Sequence, residues 1–333
     1  MSILVSGSLA YDHVMNFEGH YKDHILPDKV HILNVSFLVK GLRKERGGTA
    51  TNIAYSLKLL QEQPRILGTV GQDFADYRAW LEERGIDTHA IKVIPDEFTA
   101  SCFIMTDLAG NQITSFYPGA MGYAHDLKLA DYNLADVKIA IIAPNDPVAM
   151  VEHIKECRGA GLPYIFDPGQ QALNLNPAQL IEGFEGAKAI IGNDYELQMI
   201  ENKTGYSVEK LLEVAEMVII TKGEYGSTIV SRESSVEIPP VPARQVVDPT
   251  GAGDAYRAGI VKGLVHGYTA ERMGRMAALA ATYCVEAYGT QGQVYTTSEF
   301  CQRYAEVFGE NIEELFSSVP APITERATNF VTN

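Results

Sequence analysis

Asp248-Pro249-Thr250-Gly251-Ala252-Gly253-Asp254 is the stretch on which the reading of this chain turns. Gln245-Val246-Val247 before it reads as a short strand, while Ala255, Ala258, Ile260, Val261 and Leu264 after it recur at helical spacing. A helix should therefore start from a glycine turn, with Gly251, Ala252 and Gly253 in its first turn. The unpaired N–H groups there, with the positive end of the helix dipole, make an anion site that glycines let a bulky phosphate approach. Asp254 sits beside it. An alcohol held at that point can give its proton to the carboxylate while the amides take up charge on a transferring phosphoryl group. The alternative is an ordinary glycine turn capped by acids; the complete run, with Asp at both ends, speaks for the anion site.

Working outward, short apolar runs that read as buried strands recur at residues 3–6, 65–70, 139–143, 164–167, 189–192 and 218–221, with amphipathic helical stretches between most of them. That alternation predicts an α/β fold with a mostly parallel sheet covered by helices, and ligands in such folds bind beyond the carboxyl ends of the strands. Asp12, Asn145, Asp167, Asn193 and Lys222 fall just after these runs. Two segments break the pattern. Residues 21–46 are strand-like and Pro-containing, and residues 101–117 alternate on either side of Gly110-Asn111, a hairpin signal. Together they read as a small β-lid built from two insertions. Residues 297–314 read as a closing helix and 317–333 as a polar tail expected to be disordered.

The 333 residues allow one large or two ordinary domains, and no repeat or linker divides them. A net charge of −15 argues against a nucleic-acid or anionic-membrane partner. Any anionic substrate must then be held by local amides, a few basic groups and a divalent cation. Cys102, Cys157, Cys284 and Cys301 contain no C-x-x-C pair, so reduced thiols in a cytoplasm are expected. The opening Ile3-Leu4-Val5 is strand rather than signal peptide, and no apolar run is long enough to span a bilayer.

Gly47-Gly48-Thr49-Ala50-Thr51-Asn52 leads into an apolar helix face, bringing backbone amides and an amide side chain to one point. Taken alone, it equally describes a structural turn, as Asp12 alone describes a cap. Asn193-Asp194-Tyr195-Glu196 follows a buried strand and supplies oxygen ligands of the kind a phosphate-bridging metal uses. It also describes a helix N-cap, and both can hold together. Thr221-Lys222-Gly223-Glu224-Tyr225-Gly226 reads as a strand and glycine turn. No Gly-Lys dipeptide occurs, which excludes a P-loop, and neither His-Glu-x-x-His nor Gly-x-Ser-x-Gly is present. Arg257, on Asp254's helix face, suits a phosphate contact, tuning of the aspartate, or an ion pair.

In this order the motifs resemble those of the ribokinase-like sugar and nucleoside kinases, the PfkB family, over nearly the whole chain. The resemblance implies one ribokinase-like domain over 1–316, with lid insertions at about 21–46 and 101–117, and ATP and Mg²⁺ as cofactors. Asp254 falls on the family's catalytic base and Gly251, Ala252 and Gly253 on its anion hole. Asp12, Gly47, Gly48 and Asn52 fall on the residues that hold the acceptor's sugar ring. Thr221, Lys222, Gly223 and Gly226, with Asn193, match the nucleotide site. Asn193 and Glu196 match the Mg²⁺ site, directly or through water, and Asp248 and Thr250 a monovalent-cation site whose use of K⁺ stays open.

Sugar-specific ribokinases carry asparagine and lysine where this chain has Ala10 and Thr49. Phe166-Asp167-Pro168-Gly169-Gln170, Pro249 and the run Ala255 to Gly259 resemble instead the archaeal nucleoside kinase branch. The expected acceptor is thus a nucleoside, adenosine foremost, with Phe116 or Tyr117 as a stacking face for the base. A ribose or fructose kinase is the alternative. A catalytically silent nucleoside sensor is the reading from another class. Exposed lid edges predict a homodimer paired through the lid.

Overall fold

A computed structural model of the chain describes residues 2–316. A nine-stranded sheet runs β13 (Ser235–Ile238), β12 (Ser227–Ser231), β11 (Met217–Thr221), β10 (Ala189–Asn193), β9 (Tyr164–Phe166), β8 (Val137–Ile142), β1 (Ser2–Ser6), β4 (Pro64–Val70), β5 (Ile91–Val93). From β11 to β5 every pairing is parallel, while β12 and β13 add an antiparallel edge. The chain leaves β1 for β4 on one side and later returns to β8 on the other, so a crevice opens where strand order reverses.

Side chains alternate across β1. Ile3 and Val5 join the core shared with the helices Thr49–Leu59, Ala252–His266 and Ala270–Val285, and Leu4 joins the core on the opposite face. Both faces are covered, which is why the parallel strands read as continuous apolar runs. The six expected strands all form, with ends within two residues of the expected bounds.

A second, four-stranded sheet makes the lid, in the order β3 (Gly41–Gly47), β2 (Ala10–Asn16), β6 (Ala100–Thr106), β7 (Gln112–Tyr117). The β6–β7 hairpin forms as expected. Its turn is pinned by Asp107, whose carboxylate accepts from the N–H groups of Tyr21, Ala109 and Asn111.

The structure corrects four readings. Residues 21–46 are not one strand-like insertion: only Gly41–Gly47 is strand, and Tyr21–Asp23 and Pro27–Ile32 are short 3-10 turns. The central lid strand is instead Ala10–Asn16, so Asp12 lies within a strand rather than in a loop. Gln245–Val247 is irregular, because the sheet's edge is already taken by β13 and Val246 is exposed; only N–H bonds from Val247 and Asp248 to Val285 O hold it. The closing helix is shorter than expected, Thr297–Phe308, ended by Gly309 in a left-handed conformation. The tail 317–333 lies outside the described residues.

Candidate active site

Two helices start at the crevice, and their first turns meet. Gly48 (φ 97°) caps the helix Thr49–Leu59, and a Cβ there would stand 2.5 Å from Ser8 O and 2.6 Å from Ala10 N, so only glycine permits this approach to the β1–β2 turn. Gly251 (φ 83°) caps Ala252–His266, with Thr290 packed against it. Asn52 of the first helix donates from Nδ2 to Asp254 Oδ2 of the second at 2.8 Å. The two signatures, 202 residues apart, thus meet in one hydrogen bond.

The crevice beside this bond has a volume of ≈ 290 Å³ and is lined by Thr49, Asp167, Asn193, Glu196, Thr221, Gly251, Gly253, Asp254 and Arg257, among others. Burial pushes the Asp254 carboxyl up to about 7; the Arg257 guanidinium and the Asn52 N–H pull it down, while Asp167 and Asp12 push it further up. A carboxylate poised there can accept a proton at neutral pH. Arg257 itself is buried, paired through Nε and Nη2 with the carboxylate of Asp167 and donating from Nη1 to Gly253 O at 3.0 Å. Burial alone would lower that guanidinium, and Asp167 more than offsets it. Of the roles open to Arg257 in the sequence, the structure shows the ion pair with Asp167 together with a lowering effect on the Asp254 carboxyl.

In the glycine turn, Ala252 N–H bonds to Pro249 O at 3.2 Å, while Gly251 and Gly253 line the crevice. Asn193 and Glu196 form a capping box: Asn193 Oδ1 accepts from Glu196 N at 2.7 Å and Glu196 Oε2 from Asn193 N at 2.9 Å. Both still line the crevice, and burial raises the Glu196 carboxyl above its ordinary value. Thr221 lines it as well. Lys222 is directed elsewhere, with Nζ 3.1 Å from Glu237 Oε2, and Gly223 and Gly226 shape the turn behind Thr221. Asp248 accepts from Thr250 N–H at 2.9 Å and Gly289 N–H at 3.2 Å. No cluster of three His, Cys, Asp or Glu side chains suited to a metal occurs among the described residues.

On the lid, burial together with Glu45 and Asp248 raises the Asp12 carboxyl to about 6. Sheet register decides which lid side chains share its face. Asp12 pairs with Cys102, which pairs with Phe116, so Phe116 lies on Asp12's side; Tyr117, paired with Ser101 opposite Tyr11, lies on the other. Tyr117 instead donates its hydroxyl to Glu97 Oε2 at 2.7 Å. Thr49 Oγ1 is tied to Ser8 N at 3.2 Å and donates to Pro144 O at 3.0 Å.

Sequence reasoning missed Gln291, which donates to Asn52 Oδ1 at 2.8 Å. It noticed Asn145 only as a residue following a strand, although its Nδ2 is buried without a hydrogen-bond partner among the described residues.

The chain is similar to known kinases. The nucleoside kinase of Burkholderia thailandensis in complex with inosine superposes with a TM-score of 0.84 at 39% identity, over 93% of this chain and 99% of that one. The same enzyme in complex with ADP-inosine gives a TM-score of 0.81 at 41% identity, over 93% and 97%. The nucleoside kinase of Methanocaldococcus jannaschii is 32% identical over 299 residues, which is 89% of this chain and 94% of that protein. The pattern of the pfkB family of carbohydrate kinases matches residues 2–297. With a ribokinase-like fold and an aspartate at the glycine-capped helix start facing the crevice, this chain belongs to the pfkB family, as a phosphotransferase with an alcohol group as acceptor.

Proposed function

We propose that the chain is an ATP-dependent kinase that phosphorylates the 5′-hydroxyl of a purine nucleoside, with Asp254 as general base. The carrying observation is the half-buried Asp254 carboxyl, raised to about 7 among crevice-lining glycines and held by Asn52. The acceptor's hydroxyl proton passes to Asp254 as its oxygen bonds to the γ-phosphorus. The bond from that phosphorus to the β-phosphate oxygen breaks, and ADP leaves with the electron pair. The amides of Gly251 and Gly253 stabilise the charge that develops on the transferring group. Asp12, with Asn52 and the Gly47–Gly48 turn, is the platform for the ribose hydroxyls.

Asn193 and Glu196 offer only oxygen donors, one of each already engaged in the capping box. So small a set fits Mg²⁺ that arrives on phosphate and keeps most of its waters. When bound, the ion neutralises charge on the donor phosphates. Asp248 and Thr250 are the candidates for a monovalent cation, K⁺ among them. An ATP-using enzyme with four unpaired cysteines suits a cytoplasmic setting.

Ala10 and Thr49 support a nucleoside over a free sugar: the first has no polar side chain, and the hydroxyl of the second is engaged with Ser8 and Pro144. Phe116, on Asp12's face, offers an apolar surface to a base. The inosine-bound Burkholderia relative points the same way. The test is ADP release measured with adenosine, inosine, ribose and fructose. A purine nucleoside should exceed the sugars in kcat/KM by at least ~10-fold, the factor that about 1.4 kcal/mol of stacking and burial supplies. Equal turnover of a free sugar would replace the nucleoside by a sugar without disturbing Asp254.

A homodimer through the lid completes the reading. Leu38 and Leu42 are 86% and 62% exposed, and β3 and β7 are open sheet edges. Light scattering that gives a single 36.5 kDa species at micromolar concentration would refute it.

A further inference from the structure

Between the carbonyl of Gly47 and the carboxylate of Asp254 runs a chain of three side chains whose hydrogen-bond directions are fixed by its two ends. Gly47 O can only accept, so the Tyr77 hydroxyl donates to it, at 3.1 Å. Tyr77 then has lone pairs but no proton to offer, and Gln291 must present its NH₂ group, at 2.5 Å. The other N–H of the same Nε2 meets Asn52 at 2.8 Å and requires Oδ1 there. Asn52 is left with Nδ2 facing Asp254, to which it donates. Tyr77 cannot swing, being buried among Tyr11, Phe74 and Trp80. Gln291 Oε1 has no hydrogen-bond partner among the described residues, so its NH₂ bonds alone set the amide's orientation.

We propose that Gln291 is a positioning residue for phosphoryl transfer: by donating to Asn52 Oδ1 it holds that amide with its N–H toward Asp254, and so favours the ionised, proton-accepting carboxylate. This rests on Asp254 as the base. A reversed Asn52 amide would set oxygen against carboxylate oxygen and favour the protonated acid. The other ionisable groups around Asp254 are Arg257 on its own helix, Asp167 after β9, Asp12 on the lid and Cys284 on the helix Ala270–Val285. None of them orients Asn52. The loop carrying Gln291 is also tied to the lid, through Thr290 Oγ1 donating to Arg46 O at 2.9 Å.

The experiment compares Gln291→Leu, Gln291→Glu and Asp254→Asn with the parent enzyme, measuring kcat and KM from pH 5.5 to 9 and the thermal midpoint, with adenosine and ATP. In Gln291→Leu the acid limb of kcat should move up by about half a pH unit or more, with nucleoside KM changed less than about threefold and much of kcat recovered at high pH. Gln291→Glu should move it further, because a carboxylate can only accept and draws the Asn52 NH₂ away from Asp254. A merely structural role would lower kcat evenly across pH and lower the thermal midpoint. An unmoved limb in both variants, with Asp254→Asn inactive, overturns the proposal alone. An active Asp254→Asn overturns the base assignment, and the proposal with it.

Discussion

The junction between the Thr49–Leu59 and Ala252–His266 helix starts and the four-stranded lid differ in nearly every physical respect. At the junction, buried and half-buried polar side chains are paired with one another: Asn52 with Asp254 and Gln291, and Arg257 with Asp167. On the lid, whole apolar side chains face solvent, and β7 is exposed along its length. A cross-braced junction suits proton and phosphoryl transfer, where a misplaced group is costly. An open sheet suits choosing and covering an acceptor, which needs surface rather than rigidity. Substitutions in the two regions should therefore fail differently, the first in kcat and the second in KM.

The largest effect is expected at the junction. Asp254→Asn removes the carboxylate proposed to take the acceptor's proton and should lower kcat by ~10²–10⁴-fold, with binding of nucleotide and acceptor largely intact. Retention of more than about half of parental kcat would break the comparison at its strongest point.

Next in size is the pH dependence. Because the Asp254 carboxyl is raised to about 7, it is protonated, and the proposed base lost, as pH falls through neutrality. kcat/KM should drop about tenfold per unit below that value. Asp12, raised to about 6, protonates next and removes the proposed acceptor for ribose hydroxyls, so the limb should steepen at lower pH. A limb lying near 4, the ordinary carboxylate range, would show that neither group governs turnover.

Glu196→Gln probes the crevice wall beside the junction. It keeps the shape of the capping box and removes the charge, so the Mg²⁺ concentration for half-maximal rate should rise several-fold, more than the acceptor's KM does. An unchanged metal titration would leave Asn193 and Glu196 as a helix cap only.

What the sequence disclosed follows the same division. Buried parallel strands are continuous apolar runs, and a glycine-capped helix start has a local signature, so the sheet and the Gly251–Asp254 turn were legible. Gln291 was not. Its partners Asn52 and Tyr77 lie 239 and 214 residues away, and nothing near it in sequence encodes either contact. Asp167 gained its part only through Arg257, again across 90 residues. The lid misled in the other direction. Residues 24–40 carry the apolar side chains of a strand but leave most of them in solvent, and Val246 and Val247 did the same before the glycine turn. Hydrophobic pattern reports what could be buried, and only topology settles what is.

The smallest effect expected is also the one that separates the lid's two faces. Phe116 and Tyr117 are neighbours in sequence, aromatic, and similarly exposed, so composition cannot tell them apart. Register can: Phe116 shares a face with Asp12 through Cys102, and Tyr117 faces away and is tied to Glu97. If the base of a purine nucleoside stacks on the lid, Phe116→Ala should raise its KM by about fivefold, the low end of base–aromatic stacking, since the ring is half exposed. Tyr117→Ala should leave KM within about twofold, because it removes only a surface hydrogen bond. kcat should change little in either, as neither ring reaches the Asn52–Asp254 junction. Equal effects of the two substitutions would mean that the lid closes with a different register or that the base lies off the sheet. An effect on kcat alone would mean that lid and junction are not separable, and that closing the first is part of assembling the second.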